Sequence, residues 1–422
     1  MAQPLRIGLV GAGRIVPAHL RAYAALRAAG VDDFRITAIC SRDAERARGL
    51  LRGGGSGGPT IVGGSDPLAA RPLGVPDFQD DVQPEIFSDV RAMLDAGAVD
   101  AVDVTTEVAL HHVQALACLE AGVHALVEKP LAITMRAGRR MVEAAQRRGL
   151  VLAVCENARF NRPVRIATWV VGRGDLGTPQ MVSWQSLGTA AWSPDPWVGN
   201  SPWRHQKLVG AGGASLDVGP HIFHRLRNLC GEVESVAAVA RTFEPVRYLR
   251  DADGTVRDTV DCDTDDAFMA VATFERGAIG QLSFSFAGHG EPTVPTGPIL
   301  YGTRGCLKAE RLLLDGAEET TLDEHFERHA TEADRERLFA RGMSDPFGLL
   351  IGDWLRAIRE RREGGSASEA ETSGEEGLRD LAASFAIVES SLAGCTVSTA
   401  DVLSGQVDAY QRDLDAHYGL TD

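Results

Sequence analysis

The chain has 422 residues, a formal net charge of −15, 44% apolar residues and 24% charged ones, the make-up of a water-soluble globular protein long enough for two domains. The acidic balance argues against a polyanionic partner, because DNA, RNA and acidic membranes are held by basic surfaces. Seven scattered cysteines without a C-x-x-C pair, and an N-terminus (MAQPLRIGLV) without a basic leader, predict a reduced, cytoplasmic protein with no membrane-spanning segment.

The first third alternates strand-like and helical stretches: Ile7–Val10, a glycine turn, a helix over Pro17–Ala29, then strands at Ile36–Cys40, Ala101–Val104 and His124–Val127, with a helix over Val113–Ala121. This βαβ rhythm predicts an α/β domain on a doubly wound parallel sheet over residues 1–155. Residues 52–85, rich in Gly, Pro and Asp, read as one long loop, disordered or functional. From 156 to 422 the pattern changes to longer strands, Gln180–Gln185, Glu234–Thr242, Ala267–Phe274, Ala278–Phe286 and Cys306–Leu314, closed by helices over Pro346–Glu363 and Gly377–Ala393. Turn-length connections such as FERGAIG predict an α+β domain on a large mixed or antiparallel sheet. AFMAVATF and IGQLSFSF alternate too weakly for a sheet with one face in water, which predicts a homodimer or homotetramer through that face.

Between the first strand and helix, Gly11 permits a tight turn and Gly13 lets a pyrophosphate approach the backbone at a helix N-terminus, with Arg14 and Ile15 in the same turn and Val16 at the third small-residue position. After the second strand, Ser41 and Arg42 stand where a dinucleotide domain usually carries an acid. A hydroxyl and a guanidinium suit a 2′-phosphate, so NADP is favoured over NAD; equally, Ser41 or Asp43 could simply cap a helix. ALVEKPLA sets Glu128 and Lys129 at the carboxyl end of a strand, where such sheets bind ligands. In GGASLDVGPHIFHRL, Asp217, His221 and His224 are spaced to line one side of a helix starting between Leu216 and Pro220. A capping Asp and core histidines would give the same pattern.

The glycine turn, EKP and GAGGASLDVGPH, in this order and at this spacing, resemble the Gfo/Idh/MocA family of NAD(P)-dependent sugar and polyol oxidoreductases; HHVQALACLEAGVHALVEKPLA and EGLRDLAASFAIVESSLAGCTV extend the likeness over nearly the whole chain. The resemblance implies an N-terminal Rossmann domain and a catalytic trio of Lys129, Asp217 and His221. His221 would exchange the substrate hydroxyl proton, Asp217 would orient its imidazole, and Lys129 would hydrogen-bond the same oxygen. It also implies cofactor contacts from Thr105, Thr106, His111, Glu128 and Lys129. Departures are Thr106-Glu107 where the family often has Thr-Pro, His224 in place of an acid, Val16, and the length of residues 52–85.

Four tryptophans, Trp184, Trp192, Trp197 and Trp203, fall just before the Asp/His stretch. Trp192 and Trp203 could cover a sugar face with Arg204 and His205 binding hydroxyls, or the indoles could be packing groups. Glu156, Asn157, Arg159 and His224 complete the expected substrate contacts. No metal is expected, since H-E-x-x-H or Cys/His ligand spacings are absent. The expected activity is hydride transfer between a nicotinamide and a secondary hydroxyl of a sugar, glycoside or cyclitol. The rivals are a redox-neutral glycosidase working by transient oxidation and a non-catalytic NAD(P)-binding sensor.

Overall fold

The computed structural model describes residues 3–52, 73–187, 202–251, 253–288, 297–364 and 369–421. Six strands, β1 (Leu5–Val10), β2 (Phe34–Cys40), β3 (Glu85–Phe87), β4 (Ala101–Val104), β5 (His124–Glu128) and β6 (Leu152–Cys155), form a sheet of order β3-β2-β1-β4-β5-β6. All its pairings are parallel. The strands β4 and β6 are buried throughout, as expected of a parallel sheet covered on both faces, which is why they read as unbroken apolar runs. The first helix, α1 (Val16–Ala28), follows β1 directly and takes Pro17 in its first turn, where the missing N–H costs nothing.

The chain divides into two compact units, and their boundaries differ from a single cut at 155/156. The first unit comprises residues 1–132, 137–160 and 339–377; the second comprises 133–136, 161–338 and 378–422. The helix Pro346–Arg362, expected in the second domain, thus belongs to the first. It buries Leu350, Ile351, Trp354 and Ile358 and packs against α1, with Gly352 facing Leu26 closely. A sequence boundary cannot reveal such a return, because the apolar stripe of a helix does not say which core it enters.

The long loop also needs correction. Residues 53–72 lie outside the described residues, but from Gly74 the backbone is ordered into a short helical turn (Val75–Asp77) and the edge strand β3. Gln79, buried, binds the peptide N–H of Ile36 at 2.9 Å and its carbonyl at 2.8 Å, prolonging the edge of the sheet with a side-chain amide.

In the second unit the strands in chain order are β7 (Pro179–Ser186), β8 (Val233–Arg241), β9 (Val246–Arg250), β10 (Val256–Asp261), β11 (Ala267–Phe274), β12 (Ile279–Ser285), β13 (Ile299–Gly302), β14 (Gly305–Lys308), β15 (Arg311–Leu314), β16 (Thr320–Thr321) and β17 (Val397–Ser398). Nine of them form one sheet, β16-β15-β14-β13-β7-β12-β11-β8-β17, while β9 and β10 pair separately. The β7–β12 pair is parallel and the others are antiparallel, so the sheet is mixed. The single strand expected over Cys306–Leu314 is a hairpin: Lys308 pairs with Arg311 across a turn in which Ala309 has φ of 54°. Two charged residues flank this turn where a continuous strand would put them beside apolar neighbours.

Candidate active site

Gly11 has φ of 116°, and a Cβ there would stand 2.6 Å from Thr105 Oγ1, so the turn after β1 admits only glycine. At Gly13 the nearest atom to such a Cβ, the Thr105 carbonyl, is 3.8 Å away. The N-terminus of α1, at Ile15, has no side-chain cap. A glycine-lined approach to an uncapped helix N-terminus fits a dinucleotide pyrophosphate. The Thr105 hydroxyl binds the Val10 carbonyl at 3.2 Å and knits the same sheet edge.

After β2, the capping alternative is filled by Asp43, which accepts from Glu45 N and Arg46 N at 3.1 Å, while Ser41 Oγ accepts from Asp43 N. Arg42 points outward, its side chain 82% exposed, in a 3.2 Å pair with Glu107. Such an exposed pair contributes roughly 0–1 kcal/mol and is readily exchanged for another anion.

Lys129 follows β5 on this carboxyl edge, half-buried, before a cis bond to Pro130. Glu128 is braced on both oxygens: Oε2 accepts from Lys129 N at 3.1 Å and Oε1 from His19 Nε2 at 3.0 Å. The other His19 nitrogen, Nδ1, meets Asp103 Oδ2 at 2.8 Å, and Tyr23 OH donates to the same oxygen at 3.0 Å. Burial opposes charge on His19, but Asp103 and the Cys155 sulfur outweigh it and hold its pKa well above the ordinary value. Burial likewise raises Glu128, yet His19 and Lys129 bring its carboxyl below the usual range. His111, expected at the cofactor, has Nδ1 2.9 Å from the Pro130 carbonyl and Nε2 3.0 Å from that of Thr106. It is a buried brace of the Lys129-Pro130 segment. Thr106 directs its hydroxyl to Gln114 at 2.7 Å.

In the second unit the Asp/His stretch forms a short helix, Ala214–Asp217, and after Val218 a longer one, Gly219–Cys230, with Pro220 in its first turn. The turn before it is held by Asp265, just before β11. Its carboxylate accepts from Gly213 N (3.1 Å), Ser215 N (2.8 Å) and Ser215 Oγ (2.7 Å), and its carbonyl from Ala214 N (2.7 Å). Burial raises the Asp265 carboxyl despite these donors. Asp217 accepts a hydrogen bond from Arg204, whose guanidinium also lies 4.6 Å over the Trp203 ring. Arg204, expected on a substrate hydroxyl, is therefore anchored to the carboxylate beside the His221 helix.

Other expected substrate contacts have structural partners. His224 is buried with Nδ1 2.7 Å from Asp380, which also receives Arg227 at 2.6 Å, and this is a packing network. His205 is buried against Phe286, and burial followed by Arg247 lowers its pKa to about 4. Glu156 accepts from Ala158 N at 3.1 Å at the start of the short helix Asn157–Phe160, and Arg159 pairs with Glu371 at 3.2 Å. Trp184 is a core residue stacked on Phe284. Trp192 and Trp197 lie outside the described residues. Sequence reasoning missed His19, Asp103 and Asp265; the signals were a histidine one turn into α1, an acid inside the apolar β4, and DTDD before β11.

A doubly wound sheet with a glycine turn, joined in sequence to a mixed-sheet unit bearing an Asp/His helix, defines a dinucleotide-binding oxidoreductase architecture. Residues 5–156 match the model of an oxidoreductase family with an NAD-binding Rossmann fold, and residues 164–308 match the GFO/IDH/MocA C-terminal domain. The chain belongs to the Gfo/Idh/MocA family. It is 34% identical over 230 residues to levoglucosan dehydrogenase of Pseudarthrobacter phenanthrenivorans, covering 52% of this chain and 57%, just over half, of that protein. To 1,5-anhydro-D-fructose reductase of Ensifer adhaerens it is 30% identical over 300 residues, 70% of this chain and 78% of that one. The solved structure of levoglucosan dehydrogenase in complex with NADH superimposes with a TM-score of 0.71 at 24% identity, covering 94% of this chain and 99% of that one.

Proposed function

We propose that the protein transfers hydride between a nicotinamide dinucleotide and a secondary hydroxyl, or matching ketone, of a sugar, glycoside or cyclitol. The observation that carries the reading is Lys129 at the carboxyl end of β5, on the sheet edge that also presents the Gly11–Gly13 turn and uncapped α1. Relatives named as a sugar dehydrogenase and an anhydrosugar reductase support a net redox reaction. Gly11, Gly13, Arg14 and Ile15 hold the pyrophosphate, and the bound nicotinamide supplies the hydride acceptor or donor. His221 takes the proton of the substrate hydroxyl as its carbon is oxidised, and returns it in the reverse direction. Asp217, paired with Arg204, stabilises the imidazolium so formed, and the Lys129 ammonium favours the developing alkoxide. A panel of sugars, glycosides and cyclitols followed by nicotinamide absorbance tests the reading. Turnover of one of them supports it, and an aglycone released without net reduction would favour the redox-neutral glycosidase instead.

Arg42 favours NADP(H). A charge-assisted contact to a 2′-phosphate is worth about 1.5–3 kcal/mol, so Arg42→Ala should weaken NADP(H) roughly 10-fold or more and leave NAD(H) nearly unchanged. Fluorescence titration of both dinucleotides measures this; equal effects on the two would remove Arg42 from the cofactor site.

We further propose that a second copy covers the outer face of the nine-stranded sheet. Ile279, Met181, Tyr301, Cys306 and Leu313 are register partners in a row across β12, β7, β13, β14 and β15, and Val239, Met269 and Val271 extend the face. Met269 is 63% and Met181 59% exposed. A contiguous apolar face of this kind is the mark of an interface. Light scattering at micromolar concentration should show a dimer or tetramer, and Met181→Glu with Met269→Glu should dissociate it. A monomeric wild-type protein refutes the proposal.

A further inference from the structure

Within the first unit, a continuous hydrogen-bonded chain runs from α1 to the backbone of Lys129. Tyr23 OH and His19 Nδ1 both reach Asp103 Oδ2, His19 Nε2 reaches Glu128 Oε1, and Glu128 Oε2 holds Lys129 N. The side chains of His19 and Asp103 are fully buried, and that of Glu128 is 12% exposed. Charges buried at this depth persist only when paired and hydrogen-bonded. A ring bridging two carboxylates satisfies that condition, since both its nitrogens then donate. The groups surrounding it are Asp103 from β4, Glu128 from β5, Cys155 from β6 (Sγ 3.8 Å from Nε2) and the Phe347 ring, while His111 acts on Glu128 electrostatically.

This arrangement is more than packing. His19 lies on the helix that follows the dinucleotide turn, and the Glu128 carboxylate it binds also grips the Lys129 peptide. We propose that His19 and Asp103 are positioning residues for Lys129, acting through Glu128: the bridging ring fixes the Glu128 carboxylate, which fixes where the lysine leaves β5 and how much negative charge it faces. The inference rests on Lys129 acting in hydride transfer. The donor atoms of His19, Glu128 and Cys155 lie within 4.8 Å of one another, a spacing a metal could also use. The bridging hydrogen bonds assign that space to protons on the ring.

Lys129, Lys207 and Lys308 are the only lysines of the chain, so the Lys129 amine can be followed without a substrate. Pulse acetylation at constant pH, read by peptide mass spectrometry, uses exposed Lys308 as the internal reference. In Glu128→Gln the anion beside the ammonium is gone and Lys129 should acetylate faster. In His19→Gln the carboxylate has lost its counter-charge and Lys129 should acetylate more slowly, each change being ~3-fold or more. Asp103→Asn, nearly isosteric, should act in the same direction as His19→Gln and serves if that variant folds poorly. On turnover, His19→Gln should lower kcat ~10-fold or more with KM and dinucleotide affinity little changed, and in a Glu128→Gln background it should cost nothing further. Unchanged acetylation in both His19→Gln and Asp103→Asn, or an additive loss of kcat, would overturn the proposal. So would a stoichiometric bound metal, found by elemental analysis and lost in Cys155→Ala. Full turnover by Lys129→Met, with the acetylation shifts intact, would instead remove the catalytic reading and leave the coupling standing.

Discussion

Lys129→Met and His221→Ala should each lower single-turnover hydride transfer by ~10²-fold or more, while dinucleotide affinity and thermal melting stay close to the parent protein. In the proposed reaction an ammonium beside an oxygen that becomes an alkoxide, and an imidazole that accepts a proton only as hydride departs, would contribute mainly in the transition state. Asp217→Asn should slow the same step, because an amide stabilises an imidazolium less than a carboxylate does. The structure adds a second reason, since the change also removes the counter-charge of Arg204. His224→Ala is the opposite control. It leaves Asp380 paired with Arg227 but short of the hydrogen bond from the imidazole, which should cost roughly 1–3 kcal/mol of stability and leave the rate of the folded protein largely intact. Rapid-mixing absorbance at the nicotinamide band, paired with calorimetric melting, separates the two classes. Near-normal rates in both the Lys129 and His221 variants would return these residues to capping and core roles.

Much of the fold is legible because local pattern and tertiary role agree. Ala101–Val104 and Ala267–Phe274 were bounded correctly, the first as an apolar run buried on both faces, the second by its β-forming residues and the ERG turn after it. The same local signal failed where the deciding partner is distant in sequence. The helix Pro346–Arg362 is plain as a helix, yet nothing in it announces α1 as its neighbour. The site shows the same division. Gly11, Lys129 and the Asp217/His221 stretch are carried by short motifs, whereas the groups that brace them lie elsewhere: His19 and Asp103 are 84 residues apart, and Asp265 is 50 residues from the Ser215 it holds. The histidines show the same limit. His111, His205 and His224 look alike as sequence, and only burial and partners separate a brace from a ligand-facing ring.

The residue most sensitive to that distant bracing is Gly213. A Cβ built on it would stand 1.7 Å from the Asp265 carbonyl oxygen, 2.7 Å from the carbonyl carbon and 2.8 Å from Thr264 Oγ1. Two of these are backbone atoms at the entry to β11, so no rotamer change relieves the contact, and the turn must separate from Asp265. Separation breaks the hydrogen bonds from Gly213 N, Ala214 N and Ser215 that fix the start of the Ala214–Asp217 helix. Gly213→Ala should therefore lower stability by about 3 kcal/mol, the upper range for overpacking a filled site. At a temperature where the variant remains folded, turnover should also fall by ~10²-fold, because a displacement near 1 Å of catalytic groups has that effect. Gly212→Ala provides the comparison, since the three nearest atoms to a Cβ there all belong to the Leu216 side chain and none is backbone. Melting and turnover measured on both variants decide the matter: equal, small losses would show that the turn tolerates displacement and that Asp265 does not set the position of the Asp217 and His221 helices.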